Sequence, residues 1–205
     1  MPITPLIRIV DDDKALAESF RLLLETIGWD TTIYTDGQTF LDKDDPTRPG
    51  CIVLDVRMPG MTGLKVQEKL LERGSRLPIL FLSAHGSIPM AVSSVQKGAV
   101  DFLEKPIEPA TLLAKLTVAV AKSMTETIEH QEKAKLLARF DSLTPRERTI
   151  VTEMLTGNNA NKLIARKLNL EISTVKMHRA NAFMKLDVHS LAELTRLAQE
   201  AGFYA

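Results

Sequence analysis

The chain has 205 residues, 44% of them hydrophobic, and its 26 basic and 26 acidic side chains cancel to a net charge of zero. This length suits one large domain or two small ones, and the sequence shows neither a signal-peptide pattern nor the roughly 18 consecutive apolar residues of a membrane span. Cys51 is the single cysteine, which excludes an intrachain disulfide. We therefore expect a cytoplasmic protein without a membrane partner, in which Cys51 is a small core residue.

The zero net charge hides an asymmetry along the chain. Residues 1–110 carry 12 basic and 16 acidic side chains, a net −4, whereas residues 141–205 carry 9 and 7, a net +2. An acidic first part and a mildly basic second part suit different partners. The basic excess alone is too small to argue for nucleic acid.

Strand-like and helix-like segments alternate through residue 110. Short apolar runs predict strands, and the periodic segments between them predict helices. Gly28 is expected to end the first of these helices. Five strands with intervening helices indicate an α/β domain with a five-stranded parallel sheet covered on both faces. The predicted strands are 6–10, 30–34, 51–54, 78–82 and 100–103, and the predicted helices are 14–27, 37–43, 64–73 and 87–97.

Charged residues follow three of these strands directly. Asp11-Asp12-Asp13 follows the first, Asp55 the third, and Lys105 comes just after the fifth. Because ligands bind at the carboxyl ends of strands in open α/β sheets, we expect these side chains to meet at one edge. Clustered carboxylates require a compensating cation, and a hard divalent ion plus one lysine meets that need. Asp13 is also in the position of a helix N-cap, which is the role we assign to it.

A second, all-helical part follows a long helix. Ala110 to Thr144 contains no internal Gly or Pro, which predicts one helix whose residues 123–141 act as a stiff linker; a flexible tether is the alternative. Thr144, Pro145 and Glu147 form a capping-box pattern. Further helices are predicted at 162–168, 173–186 and 190–200, with Ser173 as a cap and Ser190 with Glu193 as a second capping box. The predicted division is therefore 1–122, 123–141 and 142–205.

Four motifs in the first part resemble the receiver domain of two-component response regulators, over about residues 5–122. They are Val10-Asp11-Asp12, Leu54-Asp55-Val56-Arg57-Met58-Pro59-Gly60, Ser83-Ala84-His85-Gly86 and Gly98-Ala99-Val100-Asp101-Phe102-Leu103-Glu104-Lys105-Pro106. The resemblance implies a flavodoxin-like fold in which Asp55 is the phosphoacceptor, since a carboxylate can act as a nucleophile and form an acyl phosphate. It also implies a cis peptide bond between Lys105 and Pro106.

The resemblance further implies a Mg²⁺ cofactor and a set of residues around the phosphoryl group. Magnesium prefers oxygen ligands from a few carboxylates together with retained water. Lys105 and Ser83 would stabilise the phosphoryl group, and Phe102 would change rotamer as a switch. The implied metal ligands are Asp11, Asp12, Asp55 and the backbone carbonyl of Arg57.

The second part resembles the LuxR-type helix-turn-helix domain from about Ser142 to Leu197. The matching residues include Leu143-Thr144-Pro145-Arg146-Glu147, Thr174-Val175-Lys176-Met177-His178, Lys185-Leu186 and Ser190-Leu191-Ala192-Glu193-Leu194. A helix over 173–186 with three basic residues and no acid can enter the major groove of DNA. The residues assigned to DNA contact are Lys162, Thr174, Lys176, Met177, His178, Arg179 and Lys185. A dimer face on the last helix is assigned to Leu191, Leu194 and Ala198, although the same stripe also fits a core.

Together these resemblances predict a response regulator of the FixJ type. A sensor histidine kinase would phosphorylate Asp55, and the phosphorylated homodimer would bind double-stranded promoter DNA, with RNA polymerase as a further candidate partner. The alternative is a phosphorylation-independent DNA-binding regulator whose receiver is a protein-interaction module. A phosphohydrolase with an aspartyl-phosphate intermediate is disfavoured, because Arg57 stands where such enzymes place a second acid. The chain is thus not expected to be an enzyme beyond its own phosphotransfer and slow dephosphorylation.

Overall fold

A computed structural model describes residues 4–84, 88–157 and 159–203 of the chain. The chain divides into two compact units, Met1–Thr127 and Ile128–Ala205. The described elements of the first unit are β1 (Leu6–Val10), α1 (Lys14–Thr26), β2 (Asp30–Tyr34), α2 (Gly37–Lys43), β3 (Gly50–Asp55), α3 (Gly63–Glu72), β4 (Ile79–Ser83), α4 (Ile88–Gln96), β5 (Asp101–Glu104) and the start of α5 (Pro109–Asp141). The described helices that follow are α6 (Pro145–Leu155), α7 (Asn161–Leu168), α8 (Ile172–Leu186) and α9 (Leu191–Ala201).

The five strands form one parallel sheet in the order β2-β1-β3-β4-β5. Alternate residues of each strand point to opposite faces, and each face has its own hydrophobic core. Ile7, Ile9 and Cys51 pack with residues of α1 and α5. Val10 and Ile52 pack with residues of α2 and α3 on the other face. This confirms the predicted α/β class with a parallel sheet covered on both sides.

Two predicted strands begin one residue later than expected. Proline has no N–H to donate, so Pro78 contributes only its carbonyl, which accepts the N–H of Ile52 at 2.9 Å, and β4 begins at Ile79. Strand β5 is shifted in the same direction and begins at Asp101. The predicted core position of Cys51 is confirmed, because its side chain is fully buried. Burial raises the pKa of the Cys51 thiol to about 12.

A buried cation lies within β1, which is paired on both sides in the sheet. Arg8 is fully buried, and its Nε lies 2.8 Å from Asp44 Oδ1, just after α2. The other guanidinium nitrogens donate to the carbonyls of Leu6, Asp45 and Arg48 at 2.6–3.1 Å. A buried charge is tolerated only when it is paired and hydrogen-bonded, and Arg8 meets both conditions. It therefore fixes the segment between α2 and β3 against the sheet.

Helix α5 runs without a break from Pro109 to Asp141, as the absence of internal Gly and Pro predicts. Its last turns belong to the second unit rather than to a linker. Phe140 is fully buried and stacks on Phe203 with ring centroids 4.3 Å apart, while Leu136 and Leu137 pack against the same core. The two compact units meet at Ile128, and the predicted linker over 123–141 stays a prediction except for these last turns of α5. No helix in the described ranges combines the length and apolar character required to cross a bilayer.

The helix caps agree with the sequence in part. Asp13 caps α1, and Thr144 with Glu147 forms the predicted capping box of α6. Helix α8, however, begins at Ile172, so Ser173 lies inside it and is not a cap. Ser190 caps α9 by accepting the Glu193 N–H at 3.1 Å, but the Glu193 carboxylate accepts the N–H of His189, so the reciprocal box is not formed.

Candidate functional site

The carboxyl edge of the sheet brings together two acids and a lysine. Val10 of β1 lies opposite Leu54 of β3, so the next residues, Asp11 and Asp55, lie side by side at the carboxyl edge of the sheet. Both are buried, with 2% and 6% of their surface exposed. Lys105, just after β5, donates from Nζ to Asp11 Oδ2 at 2.7 Å and to Asp55 Oδ1 at 2.6 Å. These three predicted site residues are therefore in direct contact.

Backbone groups orient the second oxygen of each carboxylate. The Asp13 N–H donates to Asp11 Oδ1 at 3.0 Å, and the Arg57 N–H donates to Asp55 Oδ2 at 2.6 Å. Charge-assisted bonds of this kind are stronger than neutral ones, so they fix the side-chain rotamers. The backbone contribution of Arg57 seen here is its N–H, a role that the sequence did not reveal.

Burial and ion pairing act in opposite directions on this cluster. Burial raises the pKa of Asp11, and this effect exceeds the lowering by Lys105 and by the Asp13 N–H. Burial alone would lower the pKa of Lys105, but its hydrogen bonds to Asp11 and Asp55 outweigh burial, and the pKa is raised. The two results are compatible because Lys105 has two anionic partners, whereas Asp11 shares one ammonium with a second carboxylate. The cluster holds a protonated lysine beside an excess of negative charge.

The remaining predicted residues of this edge lie close by in the fold. Ser83 is the last residue of β4 and is buried, and its carbonyl accepts the Lys105 N–H at 2.9 Å. Phe102 is half-buried on β5, with its ring centroid 6.1 Å from that of Phe81. The Lys105–Pro106 peptide bond is cis. His85, part of the third motif, lies outside the described residues.

The same edge supplies oxygen donors that suit a hard cation. Asp11 and Asp55 each present a buried carboxylate, the ligand type that Mg²⁺ prefers. Asp12 is exposed, and within the described ranges no three Asp, Glu, His or Cys side chains are arranged to hold a metal. The carboxylates of Asp11 and Asp55 are thus suitable ligands for a divalent cation, whereas the Asp12 side chain is not grouped with them.

In the second unit, α8 presents a mixed surface to solvent. Lys176, Met177 and Ala180 are exposed, whereas Thr174 and His178 are half-buried. Lys162 is exposed near the start of the preceding helix, α7. The exposed residues suit a helix that contacts a nucleic acid through its N-terminal half.

Two cations predicted to contact DNA form hydrogen bonds or an ion pair within the second unit. Arg179 donates to the Asn159 carbonyl at 3.1 Å and to Asn161 Oδ1 at 3.2 Å, and its guanidinium lies 5.4 Å from the Phe183 ring centroid. Lys185 Nζ lies 2.7 Å from the Glu147 carboxylate, whose side chain is 4% exposed. The sequence identified Glu147 only as a capping residue, and its pairing with Lys185 was missed.

The predicted dimer face on α9 requires correction. Leu194 is fully buried and Ala198 is 4% exposed, and both belong to the core of the second unit. Leu191 is partly buried and packs against that core. Leu194 and Ala198 are therefore covered by their own chain, whereas Leu191 at the edge of this core is covered only in part.

Comparisons with known proteins match both units. Residues 7–117 match the response regulator receiver domain, and residues 141–198 match the bacterial regulatory proteins of the luxR family. The transcriptional regulatory protein FixJ of Bradyrhizobium diazoefficiens is 39% identical over 96% of this chain and 95% of its own length. The response regulator protein TodT of Pseudomonas putida is 37% identical over 94% of this chain and 85% of its own.

Solved structures agree with these matches. A low-resolution structure of the response regulator StyR has a TM-score of 0.86 and 38% identity, covering 96% of this chain and 99% of that one. A structure of full-length FixJ from B. japonicum has a TM-score of 0.57 and 37% identity, with both chains fully covered. The architecture of a receiver followed by a LuxR-type domain implies a sensor kinase as partner and DNA as target, with an output that is not a classical enzyme. The chain therefore belongs to the response regulator family and is a two-component regulator of transcription.

Proposed function

We propose that Asp55 accepts a phosphoryl group from a sensor histidine kinase. The observation that carries this assignment is the Lys105 ammonium, which contacts Asp55 Oδ1 at 2.6 Å and Asp11 Oδ2 at 2.7 Å. A cation held beside a buried carboxylate is in position to offset the charge of an incoming phosphoryl group. Asp55 is also the acid that terminates the central strand β3, so it lies within the buried edge and its backbone is fixed by the sheet.

In this mechanism a carboxylate oxygen of Asp55 attacks phosphorus, and the bond from phosphorus to the donor nitrogen of the kinase phosphohistidine breaks. The donor nitrogen retains the electron pair of that bond. Lys105 neutralises charge on the transferring oxygens, and the Arg57 N–H holds the carboxylate in a fixed orientation. Ser83, buried at the end of the neighbouring strand, is assigned a hydrogen bond to a phosphoryl oxygen after transfer.

Receiver domains generally bind Mg²⁺ at their phosphorylation site. Here Asp11, Asp12, Asp55 and the backbone carbonyl of Arg57 are the proposed ligands, with two of the carboxylates already adjacent through Lys105. When bound, the ion supplies charge neutralisation for the phosphoryl oxygens. Asp11 and Asp55 otherwise carry two negative charges against the single charge of Lys105, so a cation also relieves their repulsion.

Phosphorylation would act on DNA binding through a population shift. Phe102 is the proposed switch residue, since it is only half-buried and its ring centroid lies 6.1 Å from that of Phe81. The active form is proposed to be a homodimer on promoter DNA, because a single helix-turn-helix unit reads too few base pairs. We also propose that the active form contacts RNA polymerase. The proposed location is the cytoplasm, where the kinase and the promoter are both accessible. The only chemistry assigned to the chain is its own phosphotransfer and slow dephosphorylation.

Intact mass after incubation with acetyl phosphate, with and without Mg²⁺, tests the phosphoacceptor. The wild type is expected to gain one phosphoryl group in a Mg²⁺-dependent manner, and Asp55→Ala is expected to gain none. Asp42→Ala, at an exposed acid on α2, is the matched control and should behave as the wild type. An Asp55→Ala protein that still gains one phosphoryl group would reassign the acceptor. A wild type that gains none, even from a histidine kinase, would favour the phosphorylation-independent alternative.

A further inference from the structure

The first unit contains a cavity of about 110 Å³ at the edge of the sheet opposite to Asp55. Its wall includes Pro78 and Ile79, where β4 begins, and Val100, which directly precedes β5. Asp55, in contrast, is the last residue of β3. One water molecule needs roughly 10–15 Å³ of such space, so the cavity has room for a ligand of several non-hydrogen atoms. This site is therefore separate from the edge that carries the phosphoacceptor.

The side chain of Gln67 supplies a buried hydrogen-bond acceptor at this cavity. Gln67, on α3, is one of the lining residues and is 1% exposed. Its Nε2 donates to the carbonyls of Ser94 and Lys97 at 3.0 and 3.4 Å, which fixes the orientation of the amide because only the nitrogen can donate. Its Oε1 accepts no hydrogen bond from any described residue. A buried carbonyl without a partner costs free energy, so Oε1 favours a ligand that brings a donor.

The mouth of the cavity is positively charged. Among the described residues that line it, three are basic, none is acidic, and the basic ones are all exposed: Arg76, Lys97 and Lys122. Lys97 pairs with Glu68 at 3.1 Å, and Lys122 Nζ lies 3.9 Å from Glu126. Arg76 forms no side-chain hydrogen bond or ion pair with any described residue, so its guanidinium can bind an anion through two parallel hydrogen bonds. Three cations around one opening favour a doubly charged group over a single carboxylate.

Apolar side chains form much of the remaining wall. Leu70, Leu77 and Ile79 all line the cavity, and they belong to or pack against the core on that face of the sheet. Such a wall suits a short carbon chain better than a fully hydrated ion. The cavity therefore combines a buried acceptor, an apolar wall and a cationic mouth.

We propose that this cavity binds a small phosphorylated polyol. The phosphate group lies at the mouth, where Arg76 donates to it and where Lys97 and Lys122 add positive charge. A hydroxyl group at the other end of the ligand donates to Gln67 Oε1, and the carbon chain covers the apolar wall. Because Gln67 also holds the carbonyls at the end of α4, the ligand connects α3 with that helix and with the start of β4. The proposal does not depend on phosphoryl transfer to Asp55.

Titration of the isotope-labelled full-length protein with glycerol 3-phosphate, in the absence of Mg²⁺, tests the site by NMR. The side-chain amide signals of Gln67 are assigned through their correlations with the Gln67 backbone. We expect these signals to shift and to reach saturation. Propyl phosphate has the same phosphate group and the same carbon chain but lacks the hydroxyl groups. It should bind about fivefold more weakly, the affinity equivalent of one hydrogen bond to a buried acceptor.

A pair of arginine variants locates the phosphate group. Arg76→Gln is expected to weaken the binding of glycerol 3-phosphate about fivefold, because it removes a charged donor from the mouth of the cavity. Arg146→Gln is the matched control, since Arg146 is an exposed arginine on α6 in the second unit, and this variant should bind as the wild type does. Circular dichroism checks that both exposed-site variants are folded.

Three results would overturn the proposal. Gln67 signals that stay unchanged throughout the titration would show that the cavity takes up only water. Equal affinities for glycerol 3-phosphate and propyl phosphate would remove Gln67 Oε1 as a recognition group. Binding to Arg76→Gln that is no weaker than binding to Arg146→Gln would place the phosphate outside this cavity.

Discussion

Phe140 tests whether the end of α5 is part of the second unit. This side chain is fully buried, packs in the core of that unit and stacks on Phe203 at 4.3 Å. Truncation of a core phenylalanine to alanine costs about 3–5 kcal/mol, and loss of the aromatic pair adds to that cost, roughly 1 kcal/mol. Since a small domain is stable by only about 5 kcal/mol, Phe140→Ala should remove most of the stability of the second unit.

Urea unfolding followed by two probes separates the units. Trp29 is the single tryptophan and packs against a core of the first unit, so its fluorescence reports on that unit alone. Far-UV circular dichroism reports on the helices of both. We expect Phe140→Ala to lower the midpoint of the second-unit transition by at least ~2 M, for a urea dependence of about 1–2 kcal/mol per M. The Trp29 transition should not change.

Ile128→Ala provides the control on the same helix. Ile128 is 51% exposed, and substitutions at exposed sites change stability by no more than about 0.5 kcal/mol. If Phe140→Ala shifted the second-unit transition no further than Ile128→Ala, the last turns of α5 would not be part of that core and would belong to the predicted linker over 123–141.

Two further predictions concern ion pairs in which at least one side chain is buried. The hydrogen bonds from Lys185 and the Thr144 N–H lower the pKa of Glu147, so its contribution to stability is present above the unfolded value near 4.5 and is lost as pH falls through the folded value. In Glu147→Gln, the urea midpoint of the second unit should therefore fall less steeply at acid pH than in the wild type. If the midpoint depends on pH in the same way in both proteins, Glu147 is not the cause of the acid destabilisation. Arg8→Met leaves the carboxylate of Asp44 buried without its cation and should cost about 3 kcal/mol by Trp29 fluorescence, with Asp44→Asn recovering part of that loss in the double variant. A cost below about 1 kcal/mol would show that the pair is solvated.

The sequence was most informative for the charged residues that follow the strands, because parallel strands place them all at the carboxyl edge of the sheet. The order of apolar runs predicted the sheet, and with it the meeting of Asp11, Asp55 and Lys105 across separations of up to 94 residues. Parallel pairing makes such meetings predictable, because successive strands end at the same side. Asp13 was equally predictable, since an N-cap depends only on the next turn of helix.

The sequence was least informative where a residue has two compatible roles. Leu194 and Ala198 lie at a helical spacing that suits a core and a dimer interface alike, and only the three-dimensional packing separates the two. The contacts of Arg179 with Asn161 and of Lys185 with Glu147 could not be predicted, because these partners lie 18 and 38 residues away and share no sequence pattern with them. The start of α8 depended on the preceding turn, where Asn169 has a left-handed conformation and the Leu170 N–H is bonded to Ala165.

The burial of Cys51 has a practical consequence for spectroscopy on this protein. Its side chain is fully buried and its pKa is raised to about 12, so almost no thiolate forms near neutral pH and no reagent reaches the sulfur while the first unit is folded. The natural chain therefore behaves as a cysteine-free background. A cysteine introduced at an exposed position such as Val118 or Met184 would be the only site that a maleimide dye or spin label modifies, without prior mutation of the core.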